Sequence, residues 1–280
     1  MEITNNHNLP PAILKAVSYD ARPPKINRFS VTDLIGPPQI RQLKIKHWEE
    51  LQQDASDMLW MLLGKACHYV LEKSAPAESL PEIKNELEFE GNTIVGIQDL
   101  YHNEEIHDYK ITSAYSFILG DKPEWAAQLN LLAFILTKQG YPVKALKIYA
   151  ILRDWTRGKS LQDASYPRIP FQEVEIPLWS TEGQERYLRA RLEAHKAESS
   201  ICSDEERWMK TTTYAVIKDG NKRALRVFDK AEEASIFLTM QKGNYHIEER
   251  KGEYTRCNAY CAVSNFCQQN NQAKTGLEAV

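Results

Sequence analysis

Two aspartates and a lysine have the spacing of a site that could cleave a phosphodiester bond. Asp99 ends the stretch NTIVGIQDL, and Asp108 follows with eight residues between them, so a hairpin of the two predicted strands would turn both carboxylates toward one point. Two hard oxygen ligands at one point suit Mg²⁺ or Mn²⁺. Lys110 projects from the same face of its strand as Asp108. There its ammonium group can orient a metal-bound water and stabilise negative charge on a phosphate.

Two other side chains are candidates for the same site. His68 lies near the C-terminal end of a predicted helix and offers a nitrogen ligand, and Gln128 lies on an otherwise apolar face of a later helix. Each has a simpler interpretation, since histidines are often half-buried and core amides are satisfied by hydrogen bonds. The Asp-x-Lys pattern alone also fits a polar hairpin. The apolar residues around both aspartates favour a functional site, because an unpaired carboxylate on a buried strand is costly.

The cysteines are concentrated at the C-terminal end of the chain. Three of the five lie in the last 24 residues, as Cys257, Cys261 and Cys267. The odd number and the lack of a predicted secretion signal argue against a disulfide framework. Three soft ligands this close together predict a metal site, with Cys202 as the fourth ligand and Cys67 as its rival. Zinc and an iron–sulfur cluster are both open, although the run lacks the tight Cys-x2-Cys pairs common in structural zinc sites.

The order of predicted elements indicates an α/β fold. Residues 1–28 contain paired prolines and little periodicity, which predicts a flexible arm. Helices are predicted through PPQIRQLKIKHWEELQQD, over about residues 55–74, and over PEWAAQLNLLAFILTK with Gly140 as its stop. Between the last two, ELEFE, NTIVGIQDLY and EIHDYKITS predict antiparallel strands, and VKALKIYAILRDW predicts a central strand. We expect a mixed central sheet flanked by helices.

Composition and net charge exclude few classes of protein or partner. The 280 residues are 42% hydrophobic and 26% charged, as in ordinary globular proteins. The formal net charge of −3 gives no argument for or against nucleic acid, although RQLKIKHW (41–48) is locally basic. No apolar run is long enough to span a bilayer and no secretion signal is recognised, so we expect a cytoplasmic protein without a membrane partner.

Taken together, the motifs resemble the PD-(D/E)XK nuclease superfamily and, within it, the RecB-like exonuclease branch. The resemblance rests on GKACH (64–68), GIQD (96–99), DYK (108–110) and QLNL (128–131). It implies that the metal is bound by two carboxylates, an imidazole and a backbone carbonyl: Asp99, Asp108, His68 and Tyr109. It implies a catalytic set of Asp99, Asp108, Lys110 and Gln128.

Three positions qualify this resemblance. Glu86, in the first strand, matches a loosely kept acidic position of the branch. Gln98 replaces the proline of the superfamily's name, and such a replacement is common in this branch. Leu132 stands where many relatives carry a tyrosine that contacts the substrate.

The C-terminal cysteines resemble the iron–sulfur clasp of the same nucleases. Such a clasp occurs in CRISPR-adaptation nucleases, helicase–nuclease subunits and phage-encoded single-domain exonucleases, and the last group resembles this chain from about Phe29 to Cys267. The resemblance implies a structural [4Fe–4S] cluster, for which four cysteine ligands are the normal arrangement. Those ligands would be Cys202, Cys257, Cys261 and Cys267. The implied organisation is a flexible arm (1–28), a PD-(D/E)XK core (29–200) and a C-terminal region with the cluster (201–280).

The function that this resemblance implies is a divalent-metal-dependent DNA exonuclease. We expect it to act on DNA with a free end during phage or bacterial DNA recombination or processing, in the cytoplasm of a bacterial or phage-infected cell. Its partners would then be DNA and a recombination or CRISPR-adaptation protein. One alternative is a non-catalytic DNA-binding or CRISPR-adaptation accessory protein that retains the fold. Another is a zinc-stapled regulatory module.

Overall fold

The chain folds into two compact units, Met1–Ser200 and Ile201–Val280. A computed structural model describes residues 1–18, 22–118, 120 and 122–277. Strands and helices occur in both units, which confirms the general α/β prediction. Within the described ranges, no helix has the length and apolar character needed to cross a membrane.

The first unit contains helices on either side of a central sheet. Its helices are α1 (Pro11–Ser18), α2 (Val31–Ile35), α3 (Pro38–Lys46), α4 (Leu59–Lys73), α5 (Ala114–Ile118), α6 (Pro123–Lys138), α7 (Arg157–Gln162) and α8 (Thr181–Lys196). Its strands are β1 (Glu2–Thr4), β2 (Arg28–Ser30), β3 (Gln52–Asp54), β4 (Leu80–Pro81), β5 (Lys84–Phe89), β6 (Asn92–Ile97), β7 (Leu100–His102), β8 (Glu105–Thr112), β9 (Ala145–Leu152) and β10 (Phe171–Ile176).

The central sheet has five strands in the order β10-β9-β8-β7-β4. β7 and β8 form an antiparallel hairpin, β8 and β9 run parallel, and β10 returns antiparallel. A parallel pair needs a crossover connection, which α6 provides. Nine residues of α6 are buried, and the helix packs against β8 and β9. The predicted helix and central strand are therefore confirmed as α6 and β9, and Gly140 after α6 has a positive φ of 90°.

A smaller sheet, in the order β2-β6-β5, also packs against α6. Gly96 of β6 lies directly against the helix, because a Cβ atom there would lie 2.6 Å from Cδ2 of Leu132 and 3.0 Å from Cδ1 of Ile135. Leu132 is only 2% exposed. The glycine thus permits close approach of strand and helix, and Leu132 belongs to the core.

The stretch NTIVGIQDLY, predicted as one strand, forms two strands in different sheets. β6 ends at Ile97 and β7 begins at Leu100. The buried amide of Gln98 accepts a hydrogen bond from Asn85 Nδ2 (2.6 Å) and donates one to the Leu80 carbonyl (3.3 Å). These bonds tie the break to β5 and β4, so Asp99 lies at the junction of the two sheets and not inside a strand.

The N-terminal segment differs from the flexible arm that was predicted. β1 pairs in parallel with β3, and α1 buries Val17 completely. Residues 19–21 of the predicted arm lie outside the described residues. The predicted helix through residues 37–54 is also too long, since α3 ends at Lys46 and residues 52–54 form β3. Pairing between two three-residue strands leaves no periodic signal in either one, which is why the sequence did not reveal it.

The second unit is built on a three-stranded antiparallel sheet. Its strands are β11 (Met209–Lys210), β12 (Thr213–Lys218), β13 (Ala224–Phe228), β14 (Tyr245–Arg250) and β15 (Glu253–Tyr254), and its helices are α9 (Ala231–Thr239) and α10 (Gln268–Leu277). The sheet has the order β13-β12-β14 with α9 packed against it, and β11 pairs with β15. A π-helical turn over Arg256–Tyr260 contains Cys257, and Cys267 immediately precedes α10.

Candidate metal centre

Three side chains from separate elements converge at the junction of the two sheets. His68 comes from α4, Glu82 directly follows β4, and Asp99 lies between β6 and β7. His68 Nδ1 is 3.3 Å from Glu82 Oε1 and 3.4 Å from Asp99 Oδ1. One ligand atom from each residue lies within 4.8 Å of the other two. An imidazole and two carboxylates at this separation can bind one divalent cation.

The backbone of Tyr109 completes this group. Its carbonyl oxygen lies 3.1 Å from His68 Nε2, and its N–H donates a hydrogen bond to Asp99 Oδ2 at 2.6 Å. The Tyr109 and His68 rings also meet edge to face, with centroids 6.2 Å apart. β8 therefore fixes the orientation of both ligand side chains, and its carbonyl oxygen lies against the ring nitrogen of His68 that does not face the two carboxylates.

Electrostatics show that the group favours a cation. Hydrogen bonding to Asp99 and then to Glu82 raises the pKa of His68 to about 10, although partial burial acts in the opposite direction. Without a metal, the imidazolium neutralises part of the charge on the two carboxylates. Metal binding requires the neutral imidazole, so a proton must leave when a metal enters.

Asp108, Lys110 and Gln128 form a closed triangle beside this group. Gln128 Nε2 donates to Asp108 Oδ1 (2.9 Å), and Lys110 Nζ donates to Gln128 Oε1 (3.0 Å). Lys110 Nζ also lies 2.7 Å from Asp108 Oδ2. Gln128 comes from α6, and successive residues of a strand face opposite sides. Asp108 and Lys110 therefore face α6, while the Tyr109 side chain faces α4.

Asp108 is destabilised in its charged form by its surroundings. It is 2% exposed, and burial raises its pKa to about 6, although the charge of Lys110 lowers it. Asp99 also repels the charged form of Asp108. The ion pair of its Oδ2 with Lys110 Nζ at 2.7 Å offsets part of this cost. A buried carboxylate of this kind is a suitable ligand for a cation.

The structure thus brings together every residue that the sequence placed in the nuclease site. His68, Asp99 and Tyr109 lie in one group, and Asp108, Lys110 and Gln128 lie in the adjoining one, joined by consecutive residues of β8. Glu86 lies apart, since it pairs with Arg28 and Lys84. The sequence reasoning missed Glu82, which follows Pro81 in a connection without periodicity. Its positive φ of 50° is not visible in the sequence.

Four cysteines of the second unit lie near one another. Cys267 is buried, and Cys202, Cys257 and Cys261 are half-buried. Burial raises the pKa of Cys202 to about 12, and the charges of Glu206 and the other three thiols add to this effect. Burial is also the main reason that the pKa of Cys261 is raised. Cys67 lies in the other unit, on α4.

The spacing of these thiols bears on the choice of metal. Around one zinc ion, sulfur ligands at about 2.3 Å in a tetrahedron stand about 3.8 Å from one another. No three of the four sulfurs, all within the described residues, lie within 4.8 Å of one another. Ligands of a four-iron cube stand further apart, because each binds a different iron. As they stand, the four thiols do not form a compact group for a single ion.

Comparisons with known proteins do not identify a family. No protein-family model matches the chain, and no curated protein matches it. A solved structure described as SSO0001 is similar, with a TM-score of 0.47 and 17% sequence identity, over 70% of this chain and 90% of that chain. The chemistry of the site has to be inferred from its own residues.

Proposed function

We propose that this chain is a divalent-metal-dependent deoxyribonuclease of the PD-(D/E)XK superfamily. The observation that carries the proposal is the junction at β8. There His68, Asp99 and the Tyr109 carbonyl adjoin the triangle that the buried Asp108 forms with Lys110 and Gln128. Mn²⁺ or Mg²⁺ bound at this junction would act as a Lewis acid and would lower the pKa of a bound water.

The protein residues have separate parts in such a reaction. Asp108 Oδ2 and the Asp99 carboxylate would bind the cation, and the Tyr109 carbonyl and neutral His68 would complete its protein ligands. Gln128 holds Lys110 and Asp108 in fixed positions through its two hydrogen bonds. The fixed ammonium of Lys110 can then orient the attacking water and stabilise the charge that grows on the phosphate.

The architecture and the motifs support the assignment to this superfamily and to its exonuclease branch. A mixed sheet with α4 on one face and α6 on the other is the arrangement expected for this superfamily, and each motif residue comes from the expected element. The resemblance to the RecB-like branch supports exonuclease action on DNA with a free end. It also supports a place in phage or bacterial DNA recombination or processing.

We also propose a structural [4Fe–4S] cluster bound by Cys202, Cys257, Cys261 and Cys267. The lack of tight Cys-x2-Cys pairs, and of any three of these sulfurs within 4.8 Å of one another, supports iron–sulfur over zinc. The partial burial of the thiols supports a stapling role in the second unit over electron transfer. A non-catalytic DNA-binding or CRISPR-adaptation accessory protein is the weaker candidate, because the buried carboxylate of Asp108 is costly to keep without a use.

The test is an assay of DNA cleavage on linear and circular substrates. We expect the anaerobically purified protein to degrade end-labelled linear DNA in Mn²⁺, to leave covalently closed circles intact, and to stop when EDTA is added. Cleavage of circles at the same rate would replace the exonuclease assignment with an endonuclease. No cleavage of either form in Mn²⁺ or Mg²⁺ would contradict the proposed function.

A further inference from the structure

Glu82 has a backbone conformation that few residues of its type adopt. Its φ of 50° lies in the left-handed region, which is uncommon outside glycine, asparagine and aspartate. Its N–H donates to the Asp99 carbonyl at 3.2 Å, in the same turn that brings β4 alongside β7. This turn and its hydrogen bond hold Glu82 beside Asp99.

The side chain of Glu82 is directed at the same point as Asp99. Its Oε1 lies 3.3 Å from His68 Nδ1, and Asp99 Oδ1 lies 3.4 Å from the same nitrogen. The two carboxylates lie within 4.8 Å of each other beside one imidazole, and a bound cation would relieve the repulsion between them. The Glu82 side chain is 30% exposed, so a hydrated ion can reach it.

We infer that Glu82 is a direct ligand of the proposed metal centre, together with Asp99 and the Nδ1 atom of His68. This inference rests on the proposed function, because it adds a ligand to the same metal. The motif comparison gave no role to this residue. The inference comes from the convergence of its carboxylate with the His68 imidazole and the Asp99 carboxylate.

An extra ligand has a consequence for when the metal binds. The imidazole of His68 and the carboxylates of Glu82 and Asp99 all come from the protein and lie within reach of one ion. The protein alone would then hold the cation, and metal binding would not depend on DNA.

The experiment measures Mn²⁺ binding to the complete protein without DNA, by calorimetry and by electron paramagnetic resonance. We expect one site in the wild type and a loss of affinity of about tenfold or more in Glu82→Gln, within the range known for altered metal sites. Glu78→Gln is the matched control, because Glu78 lies just before β4 as Glu82 lies just after it, also has a positive φ (66°) and is exposed. It should bind like the wild type.

Counting the waters on the bound Mn²⁺ separates a ligand from a residue that only orients His68. In H₂¹⁷O, Glu82→Ala should show one more bound water than the wild type, since water fills the vacated position. A weaker affinity with an unchanged water count would make Glu82 a positioning residue and would overturn the inference. Circular dichroism in EDTA checks that the variants are folded.

The remaining outcomes distinguish this inference from the proposed function. If Glu82→Gln binds Mn²⁺ as tightly as the wild type while Asp99→Asn does not bind it, Glu82 is not a ligand and the metal centre stands. If the wild type binds no Mn²⁺ at all, both the inference and the proposed metal centre are wrong.

Discussion

The packing of Gly96 against α6 gives a prediction whose sign can be worked out from distances. Alanine in place of glycine normally stabilises a fold by about 0.4–1 kcal/mol where the backbone allows it, because it restricts the unfolded chain. At Gly96 the new Cβ would lie 2.6 Å from Leu132 Cδ2 and 3.0 Å from Ile135 Cδ1, which is too close. Overpacking of a core typically costs about 1–3 kcal/mol. We therefore expect Gly96→Ala to lower the free energy of unfolding by about 2 kcal/mol.

A double-mutant cycle tests the cause of this loss. Leu132→Ala alone should cost about 2–5 kcal/mol through its cavity. In the double variant, the methyl group introduced by Gly96→Ala enters part of that cavity. The double variant should therefore lose about 1–2 kcal/mol less stability than the sum of the two single losses. Urea denaturation followed by circular dichroism gives these free energies.

Gly64→Ala is the control for the Gly96 result. Gly64 is inside α4, and a Cβ there would meet nothing within 4 Å. This substitution should stabilise the fold by about 1 kcal/mol, the usual helix advantage of alanine. Equal or greater stability of Gly96→Ala, or strict additivity with Leu132→Ala, would refute the packing argument.

Three further predictions concern charge, the cluster and catalysis. Burial lowers the pKa of His195 to about 4, so the folded state resists protonation of this side chain. The stability that comes from keeping His195 neutral is fully present above about pH 6.5, the usual pKa of histidine in an unfolded chain. It is lost progressively as the pH falls from there to about 4. From pH 7.5 to 4.5 the wild type should lose about 2 kcal/mol more stability than His195→Gln in urea titrations, and equal losses would contradict the assignment. Anaerobically purified protein should be brown, with about four irons per chain. Cys267→Ser should remove the colour, and Cys67→Ser should not. Stoichiometric zinc without iron would exclude the cluster. Asp108→Ala and Lys110→Ala should each abolish DNA cleavage without additive effects in the double variant, because both disable one step.

Elements with strong local signals could be predicted from the sequence. α6 has a continuous apolar pattern, a proline at its first turn and Gly140 after its end, and β9 has alternating burial between two strands. Elements that depend on distant partners could not be predicted. β1 exists because it pairs with β3, and the break at Gln98 exists because Asn85 and the Leu80 carbonyl bind its amide.

The same distinction applies to the candidate site. Asp108 and Lys110 could be placed on one face because a strand fixes their relation, and motif order was enough to associate His68 and Gln128 with them. Glu82 could not be placed. Its position depends on a left-handed turn and on pairing between β4 and β7, neither of which has a local signature in the stretch SLPEIK.

The central claim is tested most directly by the rate of DNA cleavage in Mn²⁺ when Lys110 is replaced. Lys110→Ala should lower the single-turnover rate on linear DNA by about a hundredfold or more, because it removes the cation fixed at 2.7 Å from Asp108. Lys144→Ala is the control, since Lys144 is an exposed lysine that pairs with Glu104 at the far end of the β8–β9 pair. It should cleave at the wild-type rate. A folded Lys110→Ala protein that cleaves DNA as fast as the wild type would contradict the account.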